Sequence, residues 1–237
     1  MQQINLNESN FEKELAAKEK YSKLGIQLKG YLKGRNYHKA LEAFDFAKKY
    51  HTGLRKDGLI PEFQHQIEIC LFITTLKELR DEESTLIAAL LHDVREDYNI
   101  ENSVIEEKFG KVVADSVEKL TKEFKGIKKD TQDYFNKVAL CPIASIVKLA
   151  DRINNVSSMV GVFTIKKQED YLFEIKEYFL PMLKKVRGTF PDQSQSYYGM
   201  NTFLKNMSVT IEAVLSAEKK LIAQEKPTEK ISVKPSF

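Results

Sequence analysis

The chain has 237 residues, 42% of them hydrophobic, and a formal net charge of only +3. That length and apolar content suffice for a real core, and a charge so near balance does not demand a nucleic-acid footprint. No apolar stretch is long enough to span a bilayer, and MQQINLNESNFEKEL lacks the basic-then-apolar pattern of a signal peptide, so no membrane association and a cytoplasmic location are expected.

Ten Gly and six Pro are few, and plentiful Leu, Lys, Glu, Ala and Ile favour an all-α chain. Residues 8–31 read as one amphipathic helix with Phe11, Leu15, Tyr21, Leu24 and Leu28 on one side. Residues 37–50 read as a second, with Ala40, Phe44, Ala47 and Tyr50 spaced for burial. The segment HTGLRKDGLIPE then breaks helicity with Gly and Pro and carries Arg55 and Lys56 in a loop. Helices are expected at 64–80, 84–95, 101–109, 110–125, 130–140, 142–158 and 168–186, with Pro142 suited to a first turn. The lysine-rich segment KEFKGIKKDTQDYF should form a helix end and a solvated loop close to the site. No β-rich run of useful length appears. A last helix at 194–223 carries apolar positions that fit docking, with Tyr197 and Tyr198 as packing residues. The polar tail EKPTEKISVKPSF should be disordered. Cys70 and Cys141 lie in apolar company, as buried free thiols do.

The most informative stretch is LIAALLHDVRED. An apolar run stops abruptly at His92-Asp93 and, one helical turn on, at Glu96-Asp97. Residues four apart share a helix face, so an imidazole and three carboxylates point together. Carboxylates this close repel unless a cation sits among them or one takes up a proton. His65 opens the apolar segment HQIEICLFITTLKEL. Asp151 and, one turn on, Asn155 interrupt SIVKLADRINNV. Two imidazoles and two carboxylates from His65, His92, Asp93 and Asp151 suit a first-row divalent ion such as Mn²⁺, Fe²⁺, Zn²⁺ or Ni²⁺. No thiolate is positioned to help, which argues against structural zinc. Glu96 and Asp97 are left over beside the ion, and a free carboxylate next to a metal-activated water is the equipment of metal-assisted hydrolysis.

The order H…HD…ED…D…N resembles the hydrolase domain of the RelA/SpoT alarmone enzymes, within the wider HD-domain metal phosphohydrolases. HTGLRKDGLIPEFQH resembles the family's opening block with its Arg-Lys pair, AALLHDVRED the central HD helix, VEKLTK a connecting helix, and KLADRINNV the last block. The likeness runs from about Phe44 to about Met159. It implies an all-α HD-type domain over 37–190, a helical extension over 1–36, a C-terminal helix over 191–223 packed on the domain, and a tail over 224–237. It implies His65, His92, Asp93 and Asp151 as metal ligands and Glu96 and Asp97 as the acid/base and water-orienting pair. Arg55 would pack on the nucleotide base with Lys56 beside it, Asn155 would lie near the ribose, and Lys148 would face the phosphates. His51 matches a residue that does not bind the metal. Three positions depart from the family pattern: Glu62 stands for the usual Tyr, Gln66 for the usual Pro and Tyr98 for the usual Thr.

The resemblance implies Mn²⁺ or another first-row divalent cofactor and a nucleotide substrate. The reaction it implies is removal of the 3′-pyrophosphate of (p)ppGpp, giving GDP or GTP, and no synthetase domain is expected after the HD region. Hydrolysis of an adenine alarmone or another nucleotide is the alternative within enzymes. A nucleotide-sensing HD module without turnover is the alternative outside them. Oligomeric state is left open.

Overall fold

The computed structural model describes residues 2–55 and 58–225, with the backbone alone for residues 2–14 and 225. Within that range come α1 (Gln2–Gly34), α2 (His38–Tyr50), α3 (Gln64–Ile73), α4 (Glu82–Leu91), α5 (Val94–Tyr98), α6 (Asn102–Phe109) and α7 (Lys111–Leu120). An antiparallel hairpin, β1 (Glu123–Phe124) and β2 (Ile127–Lys128), precedes α8 (Thr131–Val138) and α9 (Pro142–Ser157). Then follow α10 (Ile165–Glu174), a π-helical turn (Ile175–Phe179), α11 (Leu180–Thr189), a 3-10 turn (Pro191–Gln193) and α12 (Ser194–Glu225). The fold is all-α, and among the described residues no helix is long and apolar enough to cross a membrane.

Two helices form the centre. In α4, Thr85 through Leu91 are all buried, and a helix apolar all round must be enclosed on every side. It packs among α2, α3, α7 and α9. Its start is fixed by Asp81, whose carboxylate accepts the Ser84 N–H at 2.9 Å, with Glu82 and Glu83 in the first turn where the helix dipole favours acid. Helix α9 runs beside it, against α3, α4, α7 and α12. Pro142 occupies its first turn and the Cys141 sulfur accepts the Ala144 N–H at 3.4 Å. Both cysteines are free and buried.

The terminal helices close this core. Helix α12 lies on α9 and α11 and buries Tyr197, Leu204, Ile211 and Leu215. The Tyr197 hydroxyl sits 2.7 Å from Ser145 Oγ and accepts from Gln193 Nε2 at 2.9 Å. Tyr197 is thus a packing residue, whereas Tyr198 is exposed. Helix α1 docks through Tyr21, Leu24, Leu28 and Leu32, while Leu15, expected on the same face, is exposed. The Phe11 side chain and the tail from residue 226 lie outside the described residues.

The helix expected at 64–80 ends at Ile73, where Thr74 and Thr75 turn their hydroxyls back onto the Leu71 and Phe72 carbonyls at 2.7 and 2.6 Å. The one expected at 110–125 stops at Leu120 and gives way to the hairpin. Its turn places Lys125 and Gly126 at φ of 50° and 79°, as a two-residue hairpin loop requires. The 168–186 helix begins earlier, at Ile165, and passes through the π turn just ahead of Pro181, which cannot donate to the helical ladder.

Leu90 is fully buried in α4, one turn's packing away from the histidine that ends it. Leu90→Ala should cost about 2–5 kcal/mol of unfolding free energy through lost burial and a residual cavity. A urea titration followed by circular dichroism measures this. A change under about 0.5 kcal/mol, the size of surface effects, would show that α4 is not the packed centre.

Candidate active site

The helix expected over 84–95 breaks after Leu91, and His92-Asp93 forms the break. The His92 Nδ1–H donates to the Ala89 carbonyl at 2.8 Å, which leaves Nε2 as the lone-pair nitrogen. That Nε2 is buried and makes no hydrogen bond, although Asp93 Oδ2 lies 2.9 Å away. Burial opposes a charge on His92, but the Asp93 and Asp151 carboxylates outweigh it and raise its pKa to about 9. The surroundings therefore call for positive charge at this nitrogen. Helix α5 restarts at once, with Asp97 N–H bonded to the Asp93 carbonyl at 2.9 Å, so the expected same-face spacing of Asp93 and Asp97 survives the break.

His65 enters from the first turn of α3, its ring centroid 5.5 Å from that of His92. His65, His92 and Asp93 each bring a donor atom within 4.8 Å of the other two. Asp151, from α9, adjoins this trio through His65, with Oδ1 3.2 Å from Nε2. Its other oxygen accepts from Lys148 Nζ at 3.0 Å, and Asn155 Nδ2 donates to Oδ1 at 2.6 Å. Burial opposes the charge of Asp151, and Lys148 and His65 overcome it, holding the carboxyl well below its usual range. Lys148 is mostly enclosed and paired with Asp151. Burial works against its charge, and Tyr134 and Asp151 raise its proton affinity all the same.

Glu96 and Asp97 flank the trio from α5. The Glu96 carboxylate accepts the Lys122 backbone N–H and, at 3.4 Å, that of Glu123. The hairpin that the sequence reading missed is therefore what fixes Glu96. Its Lys125-Gly126 pair between Phe124 and Ile127 was the available signal. Burial raises the pKa of Glu96, against the effect of these N–H bonds. Asp97 is raised to about 6 by burial and by the charges of Asp93, Glu62 and Glu96, and among the described residues nothing donates to its carboxylate.

A cavity of about 790 Å³ opens beside these groups, lined by Asp93, Glu96, Asp97 and Asp151 at one end and by Arg55, Phe163 and Tyr171 farther out. The Arg55 loop is closed by Arg55 N–H to the Ile60 carbonyl at 2.8 Å and by Gly58 at a φ of +69°. Arg55 Nη2 reaches Asn155 Oδ1 at 3.4 Å, so loop and α9 meet at the cavity. Lys56 lies outside the described residues.

The three departures from the family pattern meet around one residue, His51. Glu62 Oε1 lies 3.4 Å from its Nδ1, the Tyr98 hydroxyl 3.3 Å from the same atom, and Gln66 Nε2 3.5 Å from its Nε2. Tyr98 also donates to Glu62 Oε2 at 3.0 Å. Three substitutions scattered in sequence are thus one packing unit, which ties the Arg55 loop to α5.

A model of the HD domain family matches residues 43–185, and the chain belongs to that family. It is 32% identical over 149 residues to a guanosine-3′,5′-bis(diphosphate) 3′-pyrophosphohydrolase of Aquifex aeolicus, a match over 61% of this chain and 21% of that protein. It is 27% identical over 174 residues to the bifunctional (p)ppGpp synthase/hydrolase SpoT of Escherichia coli, over 70% of this chain and 24% of that protein. The chain thus spans about a fifth to a quarter of the length of these relatives. Among solved structures, a metazoan ortholog of SpoT described as hydrolysing ppGpp superposes with a TM-score of 0.56 at 22% identity, over 72% of this chain and 93% of that one. This likeness bears on the fold. HD domains bind divalent metals, and the residues here fit one: a buried lone-pair nitrogen without a hydrogen bond, a second imidazole and carboxylates alongside.

The Tyr98–Glu62 contact is directly measurable. A double-mutant cycle of Tyr98→Phe and Glu62→Ala should give a coupling of about 1 kcal/mol, the usual net worth of such a hydrogen bond. Additive effects on unfolding free energy would show that the two departures are energetically independent.

Proposed function

We propose that this chain is a divalent-metal-dependent hydrolase of guanosine alarmones, removing the 3′-pyrophosphate of (p)ppGpp to leave GDP or GTP, with Mn²⁺ as the ion. The observation that carries this reading is the convergence of two buried imidazoles with Asp93, next to Asp151, beside a cavity of about 790 Å³ whose wall includes His65, Asp93 and Asp151. Pockets of that size take small molecules of nucleotide dimensions. The relatives named as guanosine-3′,5′-bis(diphosphate) 3′-pyrophosphohydrolases support the substrate.

His65, His92, Asp93 and Asp151 would hold the ion. When bound, it supplies charge that acidifies water and polarises a phosphoryl oxygen. In the hydrolysis, a water oxygen bonds to the phosphorus next to the sugar, the 3′ O–P bond breaks, and pyrophosphate leaves while the 3′ oxygen gains a proton. Asp97, with its proton affinity near neutrality, is suited to take the water's proton and to pass one on. Glu96, held by two backbone N–H groups, is suited to orient the water. Arg55 would stack on the base and Asn155 would face the ribose. Lys148 would act on the phosphates only from behind Asp151, to which it is bonded.

A panel of ppGpp, pppGpp, their adenine counterparts and simple mononucleotides, incubated with Mn²⁺ and separated by chromatography, tests this. Pyrophosphate in equal amount to GDP or GTP is expected. Turnover of adenine alarmones alone would move the substrate class, and binding without product would make the protein a sensor. Glu96→Gln and Asp97→Asn should keep metal and nucleotide while kcat falls by about 10²–10⁴-fold. Loss of the metal in both would place the pair in the coordination sphere instead.

Arg55→Ala should weaken substrate binding by about 0.5–2 kcal/mol, the worth of a cation on a ring, with kcat nearly kept. An unchanged dissociation constant for ppGpp removes Arg55 from the site.

A further inference from the structure

Both imidazoles of the candidate metal centre turn Nε2 inward, but their outer nitrogens are held differently. His92 Nδ1–H is fixed by a main-chain carbonyl of its own helix. His65 Nδ1 lies 2.7 Å from Asn154 Oδ1, a side chain on α9. The amide orientation follows from its other contact: Asn154 Nδ2 donates to Glu68 Oε2 at 3.1 Å, and a carboxylate can only accept there. Oδ1 therefore faces His65 and Nδ1 carries a proton, so that in the neutral ring the lone pair is on Nε2, the nitrogen 3.2 Å from Asp151 Oδ1. Glu68 is itself set by Gln64 Nε2 at 2.7 Å, with Lys20 of α1 3.6 Å from the same oxygen.

We propose that Asn154, held by Glu68, is a positioning residue that fixes the tautomer and ring angle of His65 so that Nε2 is presented to a divalent cation. Neither residue belongs to the ligand set, and neither touches the reacting atoms. Asn154 stands one turn from Asp151 on α9, so a single helix supplies a carboxylate beside the ion and the group that aims an imidazole across from it. Because Glu68 lies on α3 with His65, the contact also locks α3 to α9 at the metal. Outer partners of metal-binding imidazoles commonly control affinity in this way. The inference rests on the metal centre of the proposed function, and the test separates the two.

Mn²⁺ binding to metal-free protein, titrated by calorimetry, is the readout. The wild type should bind, and Asn154→Ala should bind about 10–100-fold more weakly, with the far-ultraviolet circular dichroism unchanged. Asn154→Asp alone sets two carboxylates against each other. Combined with Glu68→Gln it reverses the donor and acceptor while keeping an oxygen towards His65, so the pair should bind more tightly than Asn154→Asp and approach the wild type. This comparison decides the matter even if Asn154→Ala fails to fold. Wild-type affinity in a folded Asn154→Ala, or no recovery in the reversal pair, overturns the positioning role alone. A wild type that binds no Mn²⁺ overturns the metal centre and the positioning role together.

Discussion

The burial of α4 on all sides is the constraint on which the site depends. A helix enclosed by α2, α3, α7 and α9 has no freedom to rotate or slide, because interiors are close-packed and do not deform smoothly. Whatever it presents at its C-terminal end is therefore held to the precision of the core. That end is His92, turned back onto Ala89 so that one nitrogen satisfies the helix and the other lies 2.9 Å from Asp93 Oδ2. The histidine ends the helix, and α5 restarts directly after the break with Glu96 and Asp97.

How much of this was legible in the sequence depended on the kind of signal. The apolar run before His92 and the aliphatic helix around Asp151 gave the two central helices, because full burial leaves a continuous hydrophobic record. The break at His92-Asp93 left no such record: no Gly or Pro marks it, and only the packing of α4 and the imidazole contact end the helix there. The hairpin at 123–128 was missed because its strands are two residues each, too short for alternation to show. Leu15 was placed in the docked face by periodicity alone, yet a long amphipathic pattern does not say where along its length the helix meets the core. Asn154 was overlooked beside Asn155, since nothing in a one-dimensional reading tells which neighbour turns towards α3.

The convergence of Glu62, Gln66 and Tyr98 on His51 was beyond sequence reading for a related reason. Each is an isolated departure in the chain, and only the fold brings them into contact. Together they form a set of polar contacts around His51, with Tyr98 giving its proton to Glu62. The Arg55 loop and α5 are joined here by these side chains, apart from the Arg55–Asn155 contact.

Charge is what separates the carboxylates of the site into roles. Five of them, Glu62, Asp93, Glu96, Asp97 and Asp151, crowd one end of the cavity, and an arrangement of bare negative charges there would be unstable. Asp151 is compensated by Lys148, Glu96 by two backbone N–H groups and Glu62 by the Tyr98 hydroxyl. Asp93 lies against His92, whose Nε2 makes no hydrogen bond. Asp97 has no donor among the described residues, and burial together with the charges of Asp93, Glu62 and Glu96 raises its pKa to about 6. Asp151 keeps its charge beside Lys148, whereas burial raises the proton affinity of Glu96 against its two N–H bonds. A place for a cation lies beside Asp93 and the two imidazoles, and a place for a proton is Asp97. One acidic cluster thereby offers two separate positions for positive charge, which is what hydrolysis with a metal ion and a mobile proton requires.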